Sequence, residues 1–128
     1  MILAALVLLA SAMPPQIEAA ALSRTIAAHD GDIVRVSGWV DPRCGGLNCQ
    51  LTSRPVTDDE RPSVQDSVRI GHVEEVEPSL VAAAGRQVVL EGRVSASCRR
   101  EVCTDRAPDL VPIRLVHGYG VADATKEH

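Results

Sequence analysis

Two stretches of the chain alternate apolar and polar residues in the way that a half-buried β-strand does. The first covers residues 33–41 and the second covers residues 88–94. Because residues two positions apart on a strand share one face, each stretch predicts one face for the core. The predicted core positions are Val34, Val36, Gly38 and Val40 in the first strand and Val88, Leu90, Gly92 and Val94 in the second. The predicted outer positions of the first strand are Arg35, Ser37, Trp39 and Asp41.

These two strands belong to a pattern that the sequence uses twice, at residues 25–49 and 79–103. Each copy has an apolar lead-in, a glycine turn, the alternating strand and a loop with two cysteines. A glycine inside each strand predicts a bend, a bulge or a close backbone approach. Without gaps, the positions Ala28, Gly31, Val34, Gly38, Val40, Cys44 and Cys49 fall on Ala82, Gly85, Val88, Gly92, Val94, Cys98 and Cys103.

Further elements are predicted around these strands. A short return strand covers residues 49–53, and after the polar loop 52–63 another strand covers residues 67–73. Residues 16–30 are rich in alanine and indicate either a short helix or an irregular lead-in. The strand at 67–73 places Val68, Ile70 and His72 on one face.

The second half of the chain predicts a helix and a final strand. One or two helical turns follow Pro78 and stop at Gly85. The last strand covers residues 111–117, and Pro112 restricts its start to a sheet edge or a bulge. The positions predicted to share a face of that strand are Val111, Ile113, Leu115 and His117.

The resulting order is strand, strand, strand, short helix, strand, strand. With curved, glycine-bearing first and fourth strands, this order resembles the OB-fold, a five-stranded Greek-key barrel. The segments that carry the resemblance are GDIVRVSGWV at residues 31–40 and GRQVVLEGRV at residues 85–94. The resemblance covers residues 25–118 and implies an all-β domain with one short helix. It implies no particular ligand, because proteins with this fold serve many functions.

The N-terminal residues predict export. Residues 2–12 form an apolar run that ends in a small-x-small signature, which is typical of a signal peptide spanning residues 1–12. We expect cleavage after Ala12, with an alternative point near Ala21, and a periplasmic or secreted product. Because the run is shorter than a membrane-spanning helix, no stable membrane insertion is expected after cleavage. Residues 119–128 are predicted to be a flexible tail.

Composition narrows the range of partners. The formal net charge is −4, and Lys126 is the single lysine, so no basic stripe predicts phosphate neutralisation. Trp39 and Tyr119 are the only aromatic residues, which is too few to stack successive bases. Nucleic acid is therefore not an expected partner.

The four cysteines predict two loop disulfides, Cys44 with Cys49 and Cys98 with Cys103. Closing such a small loop stabilises a fold by about 2 kcal/mol on the chain-entropy model. The alternative is a zinc site in which all four thiolates are ligands.

Two histidines give a second metal alternative. If the third and fifth barrel strands pair in parallel, as the OB-fold resemblance implies, His72 and His117 lie at one end of the barrel and could meet. A neighbouring imidazole pair could bind a divalent metal or respond to pH. Two ligands alone do not define a metal site.

No short catalytic motif and no positioned acid, base and nucleophile emerge from the sequence. We therefore expect a non-enzymatic binding module without a cofactor, whose partner is an unknown protein or small molecule. The two loops that the two disulfides close are predicted to lie on opposite sides of one face of the barrel. The candidate contact residues are Trp39, Arg43, Arg99 and Arg100, together with Gly45, Leu47 and Glu101.

Overall fold

The computed structural model describes residues 13–45, 49–57, 59–100 and 108–118, and within these ranges the fold is mostly β-structure. The strands are β1 (Gln16–Glu18), β2 (Ile33–Val40), β3 (Cys49–Thr52), β4 (Ser67–Ile70), β5 (Gln87–Val94) and β6 (Leu110–Gly118). The α-helices are short: α1 (Ala19–Arg24), α2 (Glu77–Ala82) and α3 (Ser97–Arg100). Two 3-10 turns lie at Ile26–His29 and Val64–Asp66.

Five of these strands form a closed barrel in the order β2-β3-β4-β6-β5, with β5 paired back to β2. Neighbouring strands are antiparallel except for β4 and β6, which are parallel and meet at Ile70 and Leu110. Closure gives β2 and β5 neighbours on both edges, which removes the exposed edge that an open sheet would leave there. The predicted fold class is confirmed, and the arrangement is consistent with an OB-like barrel at the level of the fold.

The pairing of β2 with β5 brings equivalent positions of the two sequence copies together. Val36 lies opposite Leu90, its counterpart in the second copy. The Gly31 N–H donates to the Val94 carbonyl at 2.8 Å, and the Gly85 N–H donates to the Val40 carbonyl at 2.8 Å. Both glycines have a positive φ, +85° and +78°, which residues with a Cβ rarely adopt. The two strands therefore enter the barrel through matching turns.

The barrel core confirms the predicted alternation in β2 and β5. The fully buried positions of these strands include Val34, Val36, Val88 and Leu90. A Cβ on Gly38 would lie 2.9 Å from the Thr52 carbonyl oxygen, and one on Gly92 would lie 2.7 Å from both Leu110 Cγ and the Val111 carbonyl oxygen. The predicted close backbone approach is confirmed at both glycines.

The N-terminal lead-in is part of the packed domain. β1 pairs in parallel with β2, Ile17 lying opposite Val36. α1 then buries Ala19 and Leu22 completely against the barrel. The lead-in is thus a short strand followed by a short helix, because β1 finds its partner in a strand that follows later in the chain.

The face prediction for the last strand is wrong. Val111 and Ile113 are 41% and 42% exposed, whereas Leu115, predicted for the same face, packs against the core. The physical reason is a register shift in the pairing of β5 with β6 between Glu91 and Gly92, which inserts an extra residue into β6. Pro112 lies opposite Gly92 at this shift, as the predicted bulge requires.

Candidate functional site

The loop between β2 and β3, here called loop 41–49, is held at both of its ends. The disulfide between Cys44 and Cys49 closes it, which confirms that predicted pair. The Asp41 carbonyl accepts the Cys44 N–H at 2.9 Å, and the Asp41 N–H donates to the Gln50 carbonyl at 3.0 Å. Of the predicted contacts, Gly45 lies within this loop, while Leu47 lies outside the described residues.

Asp41 anchors the loop from inside the protein. Its side chain is only 2% exposed, so the prediction that it lies on the outer face with Trp39 is corrected. Its Oδ1 accepts the Arg43 N–H at 2.8 Å and Arg43 Nε at 3.0 Å. Its Oδ2 accepts Arg43 Nη2 and Gln50 Nε2, both at 3.0 Å. Aspartate bonded to the N–H two residues later forms an Asx turn, and the forked contact fixes the plane of the guanidinium.

The charge state of Asp41 follows from these contacts. Burial alone would raise the pKa of the carboxyl, but the hydrogen bonds from Arg43 and Gln50 lower it below its ordinary value. The carboxylate is therefore ionised at neutral pH. The Arg43 side chain is 38% exposed, so part of a positionally fixed cation reaches solvent.

The predicted contact residues divide into two groups. Trp39 is half-buried near the end of β2, two residues before Asp41. Arg99 and Arg100 belong to α3, which follows β5, and β5 runs antiparallel to β2. The loops that follow β2 and β5 therefore start at opposite ends of this strand pair. The two ends are about 20 Å apart at roughly 3.3 Å per residue. One small ligand does not span both. The side chains of Arg99 and Arg100 and the whole of Glu101 lie outside the described residues.

The sulfur atoms do not form the alternative four-thiolate zinc site. Cys44 and Cys49 are bonded to each other, and a disulfide sulfur is not a thiolate ligand. Cys98 is also disulfide-bonded, while Cys103, its predicted partner, lies outside the described residues.

The prediction that His72 and His117 meet is wrong. The parallel pairing of β4 with β6 is present, but it is confined to Ile70 and Leu110. His72 lies just beyond β4, with Nδ1 3.4 Å from Glu77 Oε1. His117 lies opposite Val89, seven residues after Leu110, which places it roughly 20 Å beyond Leu110, whereas His72 is only two residues beyond Ile70. Among the described residues, no group of three or more His, Cys, Asp or Glu side chains could hold a metal ion.

A second polar feature lies on the outer face of β2, β5 and β6. Glu91 Oε1 lies 3.1 Å from Arg35 Nε and 3.4 Å from Arg114 Nη2, which forms a row of three charges across three strands. The sequence indicates that Arg35 points outward, but it does not reveal the cross-strand register that joins it to Glu91. The row borders a shallow depression of about 610 Å³, lined by Met13, Pro14, Pro15, Ile33, Arg35, Glu91 and Arg114.

Known proteins offer no guide to the use of these surfaces. Neither a protein-family model, nor a curated protein, nor a solved structure matches the chain. Within the described ranges, no helix is long and apolar enough to cross a membrane. Function has to be argued from the residues and their geometry.

Proposed function

We propose that this chain is an exported, non-enzymatic binding module built on an OB-type barrel, and that it recognises its partner with the end of the barrel that carries loop 41–49. The observation that carries the proposal is the buried Asp41 carboxylate, whose hydrogen-bond donors come from Arg43 and from Gln50 of β3. Together with the disulfide, this network fixes Asp41, Arg43 and the closure of the loop at Cys44 and Cys49 before any partner arrives. Side chains that are already fixed lose less conformational entropy on binding.

The side chains at this end suit a partner with an anionic group next to an apolar one. Asp41 fixes the Arg43 guanidinium through Nε and Nη2, and the part of this cation that reaches solvent attracts a carboxylate or a phosphate. Trp39 adds a half-buried ring on the same strand end. An aromatic ring beside an arginine is a frequent composition of protein recognition sites.

Binding is preferred over catalysis because of the state of Asp41. Both of its carboxylate oxygens already accept hydrogen bonds, and its pKa is lowered. A general acid or base has a pKa near the working pH and a free path to the reacting proton. Asp41 meets neither requirement, so its role is to position Arg43.

Export is supported by the disulfide, because such bonds persist in oxidising compartments. The packing of β1 and α1 also favours cleavage after Ala12 over cleavage near Ala21. A cut near Ala21 would remove Ile17 from its pairing with β2 and would expose the site that Ala19 fills.

Site-specific photo-crosslinking in cells that export the protein tests the proposal. A photoreactive phenylalanine replaces Gly45, whose added Cβ would meet no atom closer than 4.0 Å. The matched control carries the same residue at Gln65, an exposed position on the turn before β4. We expect one discrete adduct from position 45 and none from position 65.

Two variants show whether that adduct depends on the proposed contacts. Arg43→Ala and Trp39→Ala, each introduced beside the photoreactive residue, should both weaken the adduct. Trp39→Ala leaves the Asp41 network intact, so a loss there is not explained by an unfolded loop. Equal adducts from positions 45 and 65, or an adduct that neither variant changes, would refute the proposed site.

A further inference from the structure

The strand β6 has one edge that is paired only at its start. It runs for nine residues and pairs with β5 along its length. On the other edge, β4 reaches it at Leu110 alone, where the Leu110 carbonyl also accepts the Gly71 N–H at 2.9 Å. Within the described ranges, no strand pairs with that edge from Ile113 to Gly118. Pro112, which lacks an N–H, lies just before this stretch.

An unpaired strand edge is a template for another strand, because its N–H and C=O groups have no strand partner. Natural proteins protect such edges with charges, prolines or very short strands. In β6 the proline lies at the start of the edge, and two register shifts leave Ile113 and Val116 as extra residues on either side of Arg114 and Leu115. The side chains that follow include the exposed Ile113 and the half-exposed Arg114.

The charges on the outer face indicate what an added strand would carry. Arg35, Glu91 and Arg114 lie side by side on β2, β5 and β6, so their signs alternate across the sheet. Glu91 is 14% exposed and is shared by two arginines, whereas Arg114 is 55% exposed. The next position in this row, on a strand beside β6, would favour an acidic side chain.

We propose that the edge from Ile113 to Gly118 docks an extended segment of a protein partner, which adds a strand to β6 and places an acidic side chain beside Arg114. The residues next to the acid in the segment point to the opposite face of the sheet, the side of the half-buried Leu115, and are apolar. The inference rests on the proposed role as a binding module but uses a different surface from loop 41–49. Each can therefore fail without the other.

A second copy of this chain fits the edge less well. The residues of β6 include no Asp or Glu, so pairing of β6 with itself offers Arg114 no acid on the facing strand. A segment of another protein can carry an acidic residue at the position that faces Arg114.

Amide NMR of the full-length mature protein with a synthetic peptide tests the inference. The probe is acetyl-Thr-Val-Thr-Val-Glu-Val-Thr-Val-amide, and its counterpart has lysine in place of the glutamate. We expect the glutamate peptide to shift the amides of residues 113–118 and the lysine peptide to bind about tenfold more weakly, as like-charge contact predicts. Arg114→Glu should reverse this preference, while Arg61→Glu, the same change in an exposed loop residue, should leave it unchanged.

Three results would overturn the inference. One is the absence of shifts at residues 113–118 with peptide at about 1 mM, near the weak limit of specific recognition. A second is a concentration-dependent shift of the same amides without peptide, which would make a second copy the occupant. The third is slow exchange of every amide from Ile113 to Gly118 in the free monomer, which would mean that the chain itself pairs with both edges.

The outcome is separable from the crosslinking result at Gly45. Shifts at β6 without an adduct at position 45 would support this inference and reject the proposed loop site. An adduct at position 45 without shifts at β6 would do the reverse.

Discussion

The two copies of the sequence pattern build the same strand but finish it differently. Before the strand, Gly31 and Gly85 share a positive φ, and each donates to the end of the other strand. After the strand, Asp41 and Arg43 of the first copy correspond to Ser95 and Ser97 of the second, whose hydroxyl oxygens lie 3.1 Å apart. The features that both copies share, the strand and the glycine turn before it, are those that barrel closure requires. At these matched positions the second copy has no charged pair, which is why we assign recognition to loop 41–49.

The largest expected effect comes from the glycines inside the two strands. Gly92→Ala should lower the free energy of unfolding by about 2–3 kcal/mol and Gly38→Ala by about 1–2 kcal/mol, as overpacking does. At Gly92 the added Cβ meets Leu110 Cγ and a carbonyl oxygen at 2.7 Å, whereas at Gly38 the closest atom is the Thr52 carbonyl oxygen at 2.9 Å. Urea denaturation measures both values.

Gly45→Ala is the control for these substitutions, because its added Cβ has space and should change stability by less than about 0.5 kcal/mol. Equal losses of unfolding free energy for Gly38→Ala and Gly92→Ala would contradict this ranking. The ranking follows from the closer contacts of Gly92 with Leu110 and Val111 of β6.

Removing the disulfide between Cys44 and Cys49 should have the next largest effect on stability. Replacing Cys44 and Cys49 together by serine should lower the free energy of unfolding by about 2 kcal/mol, because the unfolded chain regains the entropy that the closed loop removes. The melting temperature should fall while the far-ultraviolet circular dichroism of the barrel stays the same. An unchanged melting temperature would show that the Asp41 network alone fixes the loop.

The smallest of the three effects concerns Asp41. Asp41→Asn should cost about 1–2 kcal/mol at neutral pH, because charge-assisted hydrogen bonds from Arg43 and Gln50 become weaker. The folded pKa of Asp41 lies below the unfolded one. Its contribution is therefore complete above about pH 4 and is lost as the pH falls through the folded pKa.

Melting temperatures recorded between neutral and acid pH test this dependence. The native protein should lose stability more steeply below about pH 4 than Asp41→Asn does. If the melting temperature of Asp41→Asn falls with pH as steeply as that of the native protein, Asp41 does not contribute to stability in the way described.

The barrel could be predicted from the sequence because its strong signals are local. The alternation of β2 and β5, the positive-φ turn at Gly85 and the short pairing of Cys44 with Cys49 each depend on neighbouring residues. They all appear in the structure. The closing order follows from the strand order once the resemblance to an OB-like barrel is accepted.

The predictions from the sequence were wrong where residues distant in the chain determine the local structure. The face of β6 changes at a register shift that β5 imposes, and β1 forms because β2 offers it an edge. The histidines are separated because β4 ends at Ile70. The burial of Asp41 was missed, although the turn-forming sequence Asp41-Pro42-Arg43 is a local signal of an Asx turn.

The most direct test of the account is the intact mass of the mature exported protein, recorded in native and denaturing conditions after alkylation without reductant. The account predicts a chain that begins at Met13 and takes up no alkylating label, because the cysteines are paired in disulfides. A native mass heavier by one zinc ion, with four thiols labelled after denaturation, would contradict it. The cysteines would then be metal ligands, and both the stapled loop and the binding role assigned to it would be wrong.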